Sequence, residues 1–279
     1  MTTLLISPDG MLGRAFALLF ERERLSFEGV TYPAIDLTHP DTIAAHLRPG
    51  ITRVINCSAY TDVDGAETSE ALATAINGTG VGALGERCRE IGATLVHFGT
   101  DYVFDGTAST PYPVDAKIDP QGAYGRSKAA GERALRESGA PHLYVRTSWL
   151  YAPWAKNFVR TIAGAAKQRP SLRVVDDQRG RPTSAEHLAK STLALLDRGH
   201  QGTWHVTDGG ECTWFGFAKE IVRLSGADCE VHPCATEEFP RPARRPAYSV
   251  LDLSRTEAEL GAMPRWEDNL ADVMRRIEP

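Results

Sequence analysis

Thr3-Leu4-Leu5-Ile6-Ser7-Pro8-Asp9-Gly10-Met11-Leu12-Gly13 decides the fold. Thr3 to Ile6 reads as a buried strand, Ser7 to Gly10 has the composition of a turn, and Met11 to Arg22 carries apolar residues at helical spacing. The alternation repeats along the chain. Pro40 to Leu47 reads as a helix, Arg53-Val54-Ile55-Asn56-Cys57 as a strand, and Glu70 to Ile91 as a helix despite its glycines. Thr94-Leu95-Val96-His97-Phe98 is a strand, Tyr124 to Ser138 a helix, and His142 to Arg146 a strand. Strands alternating with helices predict a parallel sheet covered on both faces. Right-handed crossovers make it doubly wound, an α/β fold of Rossmann type.

Beyond Trp149 the pattern is less regular. Two Gly/Pro-rich stretches, Asp176 to Thr183 and Phe239 to Pro246, bracket helical runs at Ala185 to Arg198 and Thr213 to Ser225. A last helix is expected from Arg265 to Ile277. Residues 1–150 are expected to form a dinucleotide-binding domain completed by the helix at 185–198, and 151–279 mainly a smaller C-terminal substrate-binding lobe.

At 279 residues the chain buries a full core, and 42% hydrophobic with 24% charged residues is ordinary for a soluble globular protein. A net charge of -5 argues against a nucleic-acid partner and disfavours anionic membranes. No apolar run reaches the roughly 18 residues of a membrane span. The first residues lack the charged-then-apolar pattern of a secretory leader. Five scattered cysteines suit neither a zinc site nor a disulfide framework, so a reducing cytoplasm is expected.

A GxxGxxG turn after the first strand would bring backbone N–H groups and a helix N-terminus to a pyrophosphate. Gly10 and Gly13 fit its second and third positions, but Ser7 stands at the first, where a Cβ resists left-handed backbone. The second strand ends in Val30-Thr31-Tyr32-Pro33, with neither the acid that marks an adenosine ribose nor a base for a 2′-phosphate. Asp36 follows slightly later; it either sits near an adenine or caps the helix from Pro40. NADH and NADPH are therefore not separated by this segment.

Phe98-Gly99-Thr100-Asp101-Tyr102-Val103-Phe104-Asp105-Gly106 puts a hydroxyl at the carboxyl end of a strand, where open parallel sheets bind ligands. Tyr124 and Lys128, in Tyr-Gly-Arg-Ser-Lys, project from one helix face. An ammonium beside a phenol favours the phenolate, so the Tyr124 pKa is expected to fall. Such a pair hands a proton to a carbonyl oxygen while hydride arrives at the carbon, with Thr100 donating to the same oxygen.

With these motifs in place, the chain resembles the dTDP-4-dehydrorhamnose reductase family, extended short-chain dehydrogenase/reductases. The resemblance runs through Gly10-Met11-Leu12-Gly13, Asn56-Cys57-Ser58-Ala59-Tyr60-Thr61, Val63-Asp64, Ala66-Glu67 and Thr100 to Gly106. It continues through Tyr124 to Lys128, Gly131-Glu132, Arg146 to Tyr151, Asn157-Phe158-Val159, Asp177 to Thr183 and Arg245 to Ser249. It implies reduction of a dTDP-linked 4-keto-6-deoxy sugar by NADPH or NADH. Tyr124 would be the acid, Lys128 would lower its pKa and hold the nicotinamide ribose, and Thr100 would polarise the carbonyl. Gly10, Met11 and Leu12 would line the pyrophosphate, Asp36 and Leu37 the adenosine end, and Ala59, Tyr60 and Thr61 the rest of the cofactor. Thr100, Asp101 and Trp149 would meet the sugar nucleotide. A homodimer is compatible with the resemblance, as is a divalent ion at its contact, although no residues here have metal-ligand spacing. Ser7 and Gly99 depart from the family pattern, which commonly has glycine and serine at those places.

Plainer readings stand beside these. Trp149 and Trp154 also fit lobe packing, and Arg241, Arg244 and Arg245 either clamp a diphosphate or form a solvated charge run. His97 and His205 read as core histidines, and Glu67 and Glu132 as caps or partners within helices. Two rival functions remain: a 4-ketoreductase for another nucleotide-linked deoxyhexose, and a non-catalytic NADP-binding subunit like the regulatory partners of methionine adenosyltransferase.

Overall fold

The computed structural model describes residues 2–277. Strand β1 (Thr2–Ile6) leads into helix α1 (Met11–Glu23), followed by β2 (Phe27–Val30), α2 (Pro40–His46) and β3 (Ile51–Asn56). The run expected as one helix from Glu70 to Ile91 is continuous but not uniform. Helix α3 (Glu70–Thr74) passes through a π-helical turn at Ala75–Thr79 into α4 (Gly80–Ile91). Strand β4 (Thr94–Thr100), helix α5 (Ala123–Glu137) and strand β5 (His142–Thr147) complete the first half. Next come β6 (Leu150–Tyr151), α6 (Phe158–Ala166), β7 (Ser171–Val175), β8 (Arg179–Gly180) and β9 (Thr183–Ser184). Helix α7 (Ala185–Asp197), β10 (Gly202–His205), β11 (Cys212–Thr213) and α8 (Trp214–Ser225) follow. The chain closes with β12 (Glu230–Cys234), α9 (Ser254–Leu260) and α10 (Trp266–Met274).

Six strands form one parallel sheet in the order β2-β1-β3-β4-β5-β10. Side chains alternate across it. Leu4, Ile6, Val54, Leu95 and Tyr144 pack on the layer that holds Ile43, Val81, Leu84 and Leu135. Leu5, Ile55, Val96, Leu143 and Val145 pack on the layer of α1 and α7. Burial on both faces explains why these strands read as continuous apolar runs. The strand order reverses between β1 and β3, so the crevice beyond their carboxyl ends is the place a ligand would occupy.

The chain leaves this sheet after β5 and comes back to it. Gly202-Thr203-Trp204-His205 is too short and mixed to read as a strand, yet it pairs along β5, with α7 against α1 and α9 against β10. The lobe is a separate small core. There β7 and β12 pair in parallel, and Tyr151, Phe217, Ile221, Trp266 and Leu270 gather between α6, α8 and α10.

Glu132 does not pair within its own helix. It crosses to β5, where its two oxygens accept from Arg146 Nη2 at 2.6 Å and Nε at 3.0 Å, with both side chains at most 4% exposed. Removing either partner would leave a buried charge at a cost of about 3–5 kcal/mol, so the pair holds α5 on the sheet. His97 and His205 are buried in the core, where desolvation lowers both, His205 to about 3.

Candidate active site

Strand β4 ends at Thr100, and a 3-10 turn follows at Asp101–Val103. Thr100 Oγ1 accepts from Tyr102 N at 3.3 Å and donates to Asp101 Oδ1 at 3.1 Å. Helix α5 begins after Gly122, so Tyr124 lies in its first turn and Lys128 one turn later, on the face turned to β4. Lys128 is 3% exposed, and its Nζ donates to Phe98 O at 2.6 Å. Burial lowers this ammonium to about 8.

The expected fall in the Tyr124 pKa is absent. Tyr124 is half-buried, and desolvation pushes its phenol above the ordinary range. The Asp101 charge adds to the rise, while the Thr100 hydroxyl opposes it. Lys128 spends its charge on the Phe98 carbonyl instead. Asp101 itself is 2% exposed, and burial raises it to about 6, against the opposing Ser249 and Thr100 hydroxyls. Ser249 lies outside hydrogen-bonding geometry, so Asp101 Oδ2 has no hydrogen-bonded partner among the described residues.

Gly99 is dictated by packing. A Cβ there would lie 2.5–2.8 Å from ring and hydroxyl atoms of Tyr144, whose Oη donates to Lys128 O at 3.3 Å. The tyrosine takes the room that a serine at position 99 would need.

On the other side of the crevice, Ser7 adopts φ 59°, the left-handed backbone expected of glycine. The turn nevertheless closes, with Ser7 N donating to Val30 O at 2.8 Å and Gly10 N to Ser7 O at 3.1 Å. Gly13 is indispensable, because a Cβ there would lie 1.8 Å from Ser7 O. Gly10 caps α1 without a side chain, and no acid stands in the first helical turn. The N–H groups of Met11, Leu12 and Gly13 are therefore uncapped and suited to an anion.

Three further contacts brace this edge. Trp154 Nε1 donates to Met11 O at 3.0 Å, beneath the Arg14 guanidinium at 5.0 Å. Thr31 Oγ1 donates to Asp9 Oδ1 at 2.6 Å, joining the end of β2 to the turn. Asp36 Oδ1 accepts from Thr38 N at 2.9 Å, which leads the lowering of its pKa. The N-cap of α2 is His39, so Asp36 does not cap that helix, and Leu37 beside it is buried.

Ala59, Tyr60 and Thr61 follow β3 on the same edge. Asn77, in the π-helical turn, fixes this loop twice: its Oδ1 accepts from Tyr60 N at 2.9 Å and its Nδ2 donates to Tyr60 O at 3.0 Å. The same amide donates to Ser127 Oγ at 3.0 Å in α5. Tyr60 and Tyr124 then pack on one cluster of Ala66, Ala73 and Ala123. Sequence reasoning passed over Asn77; a polar residue in the middle of an apolar helical run was the available signal.

Thus Gly10 to Leu12, Ala59 to Thr61, Thr100, Asp101, Tyr124 and Lys128 share the carboxyl edge of the sheet, with Asp36 and Leu37 at its β2 end. Trp149 lies beyond β5 and stacks on Trp214 with ring centroids 3.6 Å apart. Arg241 and Arg245 both engage Asp64, and Arg244 donates to Gln121 Oε1 at 3.5 Å. Arg241 and Arg244 are exposed, whereas Arg245 is largely enclosed beside Asp64. All five cysteines are free thiols, and the described residues contain no group of three or more His, Cys, Asp or Glu side chains placed to hold a metal. No helix among them is long and apolar enough to cross a membrane.

A doubly wound parallel sheet with a glycine turn after β1, and Tyr and Lys one turn apart beside β4, is the architecture of the extended short-chain dehydrogenase/reductases. A family described as RmlD substrate binding domain matches residues 1–278, and the chain belongs to it. It is 40% identical over 274 residues to a dTDP-4-dehydrorhamnose reductase of Mycobacterium tuberculosis, covering 95% of this chain and 90% of the relative. It is also 40% identical over 284 residues to a probable dTDP-4,6-dihydroxy-2-methyloxan-3-one 4-ketoreductase of Streptomyces antibioticus, covering 99% and 96%. The crystal structure of a Bacillus anthracis dTDP-4-dehydrorhamnose reductase in complex with NADP superposes with a TM-score of 0.94 at 33% identity, covering 98% of each chain.

Proposed function

We propose that the protein reduces the C4 keto group of dTDP-4-dehydro-6-deoxy-L-mannose to give dTDP-L-rhamnose, using NADPH. The observation that carries this reading is the shared edge on which an uncapped helix N-terminus, a hydroxyl, a phenol and a buried ammonium meet. The uncapped N–H groups at Met11 to Gly13, with Gly10 leaving the approach open, fit a pyrophosphate. Ala59 to Thr61 would follow the cofactor, and Asp36 and Leu37 its adenosine end. Bound there, the nicotinamide supplies a hydride to the C4 carbon.

This chain's residues manage the proton. Tyr124 gives its hydroxyl proton to the C4 oxygen, so the C=O π bond is replaced by C–H and O–H, and the phenolate is reprotonated from solvent. A phenol raised by burial is fully protonated near neutrality, which is the state an acid needs. Thr100 donates to the same oxygen, and Lys128 holds the nicotinamide ribose. Asp101 and Trp149 contact the sugar nucleotide. NADPH is chosen over NADH because the Bacillus anthracis relative was solved with NADP. The reading extends to a cytoplasmic homodimer with no nucleic-acid partner, which sedimentation of the purified protein would check.

A second sugar has one observation in its favour: the Streptomyces antibioticus relative, named for a different dTDP-linked substrate, matches at the same 40% identity. The binding-subunit reading rested on Ser7, and Ser7 keeps the turn in the glycine conformation. The test is loss of reduced-nicotinamide absorbance with dTDP-4-dehydro-6-deoxy-L-mannose and, separately, NADPH or NADH. Rapid oxidation with NADPH is expected. Cofactor binding without oxidation would move the assignment to another keto sugar.

A further inference from the structure

We propose that the turn from Asp62 to Glu67 couples a strap of the substrate lobe, residues 239–247, to the catalytic helix α5, with Asp64 and Glu67 as positioning residues. The inference rests on the reductase reading above. Val63-Asp64 and Ala66-Glu67 belong to the sequence pattern of the chain, yet cofactor and substrate binding leave both carboxylates without a task.

The geometry supplies one. Asp64 is 17% exposed; its Oδ2 accepts from Arg241 Nε at 3.0 Å and forms an ion pair with Arg245 Nη2 at 2.9 Å. Its Oδ1 accepts from Ala243 N at 3.2 Å, so one carboxylate ties the strap at three residues. One 3-10 turn later, Glu67 Oε1 accepts from Ala123 N at 2.8 Å. Ala123 is the first residue of α5, and Gly122 provides no side-chain cap there. Glu67 is therefore the cap, borrowed from 56 residues upstream, of the helical turn that carries Tyr124. Gly65 N donates to Asp62 Oδ1 at 2.9 Å, which stiffens the segment between the two carboxylates.

A second route joins the same ends. Arg245 Nη1 donates to Tyr102 Oη at 3.1 Å, and the Tyr102 ring meets Tyr124 edge-on at 5.7 Å and 79°. A Cβ at Gly125 would lie 2.2 Å from Tyr102 O, so that backbone also bears on the first turn of α5. Displacement of the strap would thus reach Tyr124 from two sides. An exposed ion pair contributes little, as Arg241 at 60% exposure illustrates, but Asp64 with Arg245 at 16% is enclosed.

Asp64→Ala and Glu67→Ala should each lower kcat about 10-fold while NADPH affinity, by fluorescence titration, stays within about 2-fold. The double variant should lose no more than the worse single, because both interrupt one path. Glu67→Gln retains an acceptor for Ala123 N and should restore kcat to within about 3-fold of the parent. Amide hydrogen exchange at residues 123–126 should quicken in Asp64→Ala, a readout that needs no turnover. If Asp64→Ala does not fold, Asp64→Asn, which removes the charge and keeps the acceptor for Ala243 N, is read in the same way. Additive losses in kcat, or unchanged exchange at 123–126, overturn the coupling. A parent protein that oxidises no NADPH with any keto sugar would remove the reductase reading, and exchange at 123–126 would still decide the coupling.

Discussion

The turn after β1 offers backbone to a ligand, whereas the end of β4 offers side chains. In the first, serine stands where glycine was expected, yet both closing hydrogen bonds form and the N–H groups of the first turn of α1 remain uncapped. What matters there is which dihedral angles the chain adopts, and Ser7 adopts them at φ 59°. At the end of β4 the groups on offer are side chains of three different kinds: the Thr100 hydroxyl, the Tyr124 phenol and the Lys128 ammonium. A backbone-built subsite tolerates substitution as long as space and torsion permit, and a side-chain-built one does not. Space, not torsion, is the limit at Gly13.

The largest break in this contrast is Tyr124→Phe. It removes the only proposed proton donor and should lower kcat by about 100- to 10,000-fold, with NADPH affinity retained. A near-normal kcat would take Tyr124 out of the mechanism. Gly13→Ala breaks the other side. Its Cβ would sit 1.8 Å from Ser7 O, both groups being backbone-anchored. Unfolding in urea should show a loss of about 2–3 kcal/mol, as expected for overpacking, and NADPH affinity should weaken with it.

The pH dependence separates the two subsites by a smaller margin. Lys128 is lowered to about 8 by burial, so its ammonium is lost as pH rises through that value. The kcat/KM for NADPH, which reports the free enzyme, should fall above pH 8 in the parent, and Lys128→Met should lack that limb. Stability should move the other way. Between about pH 8 and 10.4 the unfolded chain holds the Lys128 proton while the folded chain has released it, so stability rises with pH across that window. A parent profile flat to pH 9 would show that the charge of Lys128 is not required.

These behaviours were unequally legible in the sequence. The main sheet could be read because each strand buried on both faces spells an apolar run, and Tyr124 with Lys128 because one helical turn is a local spacing. Strand β10 could not: four mixed residues become a strand only because β5 offers an edge. The arginine cluster was read without Asp64 because that partner of Arg241 lies 177 residues away in the chain. The direction of the Tyr124 pKa failed for a related reason. Spacing placed Lys128 beside the phenol, but only the fold shows its Nζ committed to the Phe98 carbonyl. Gly99 stood only as a departure from the family pattern, and Tyr144 from the neighbouring strand accounts for it.

The smallest expected effect is the sharpest check on the comparison. Ser7→Gly relieves a left-handed conformation that costs an L-residue roughly 1–2 kcal/mol, while glycine returns part of that gain through greater freedom in the unfolded chain. A net rise in stability of under about 1 kcal/mol is expected, with NADPH affinity changed by less than about 3-fold. The two numbers together carry the argument. A large gain in affinity would mean that the serine side chain, not just its backbone, intrudes on the pyrophosphate turn, and the site after β1 would then be no more tolerant than the end of β4. A gain in stability with unchanged affinity would show that torsional strain at Ser7 is borne by the fold and leaves the N–H groups at Met11 to Gly13 where they are.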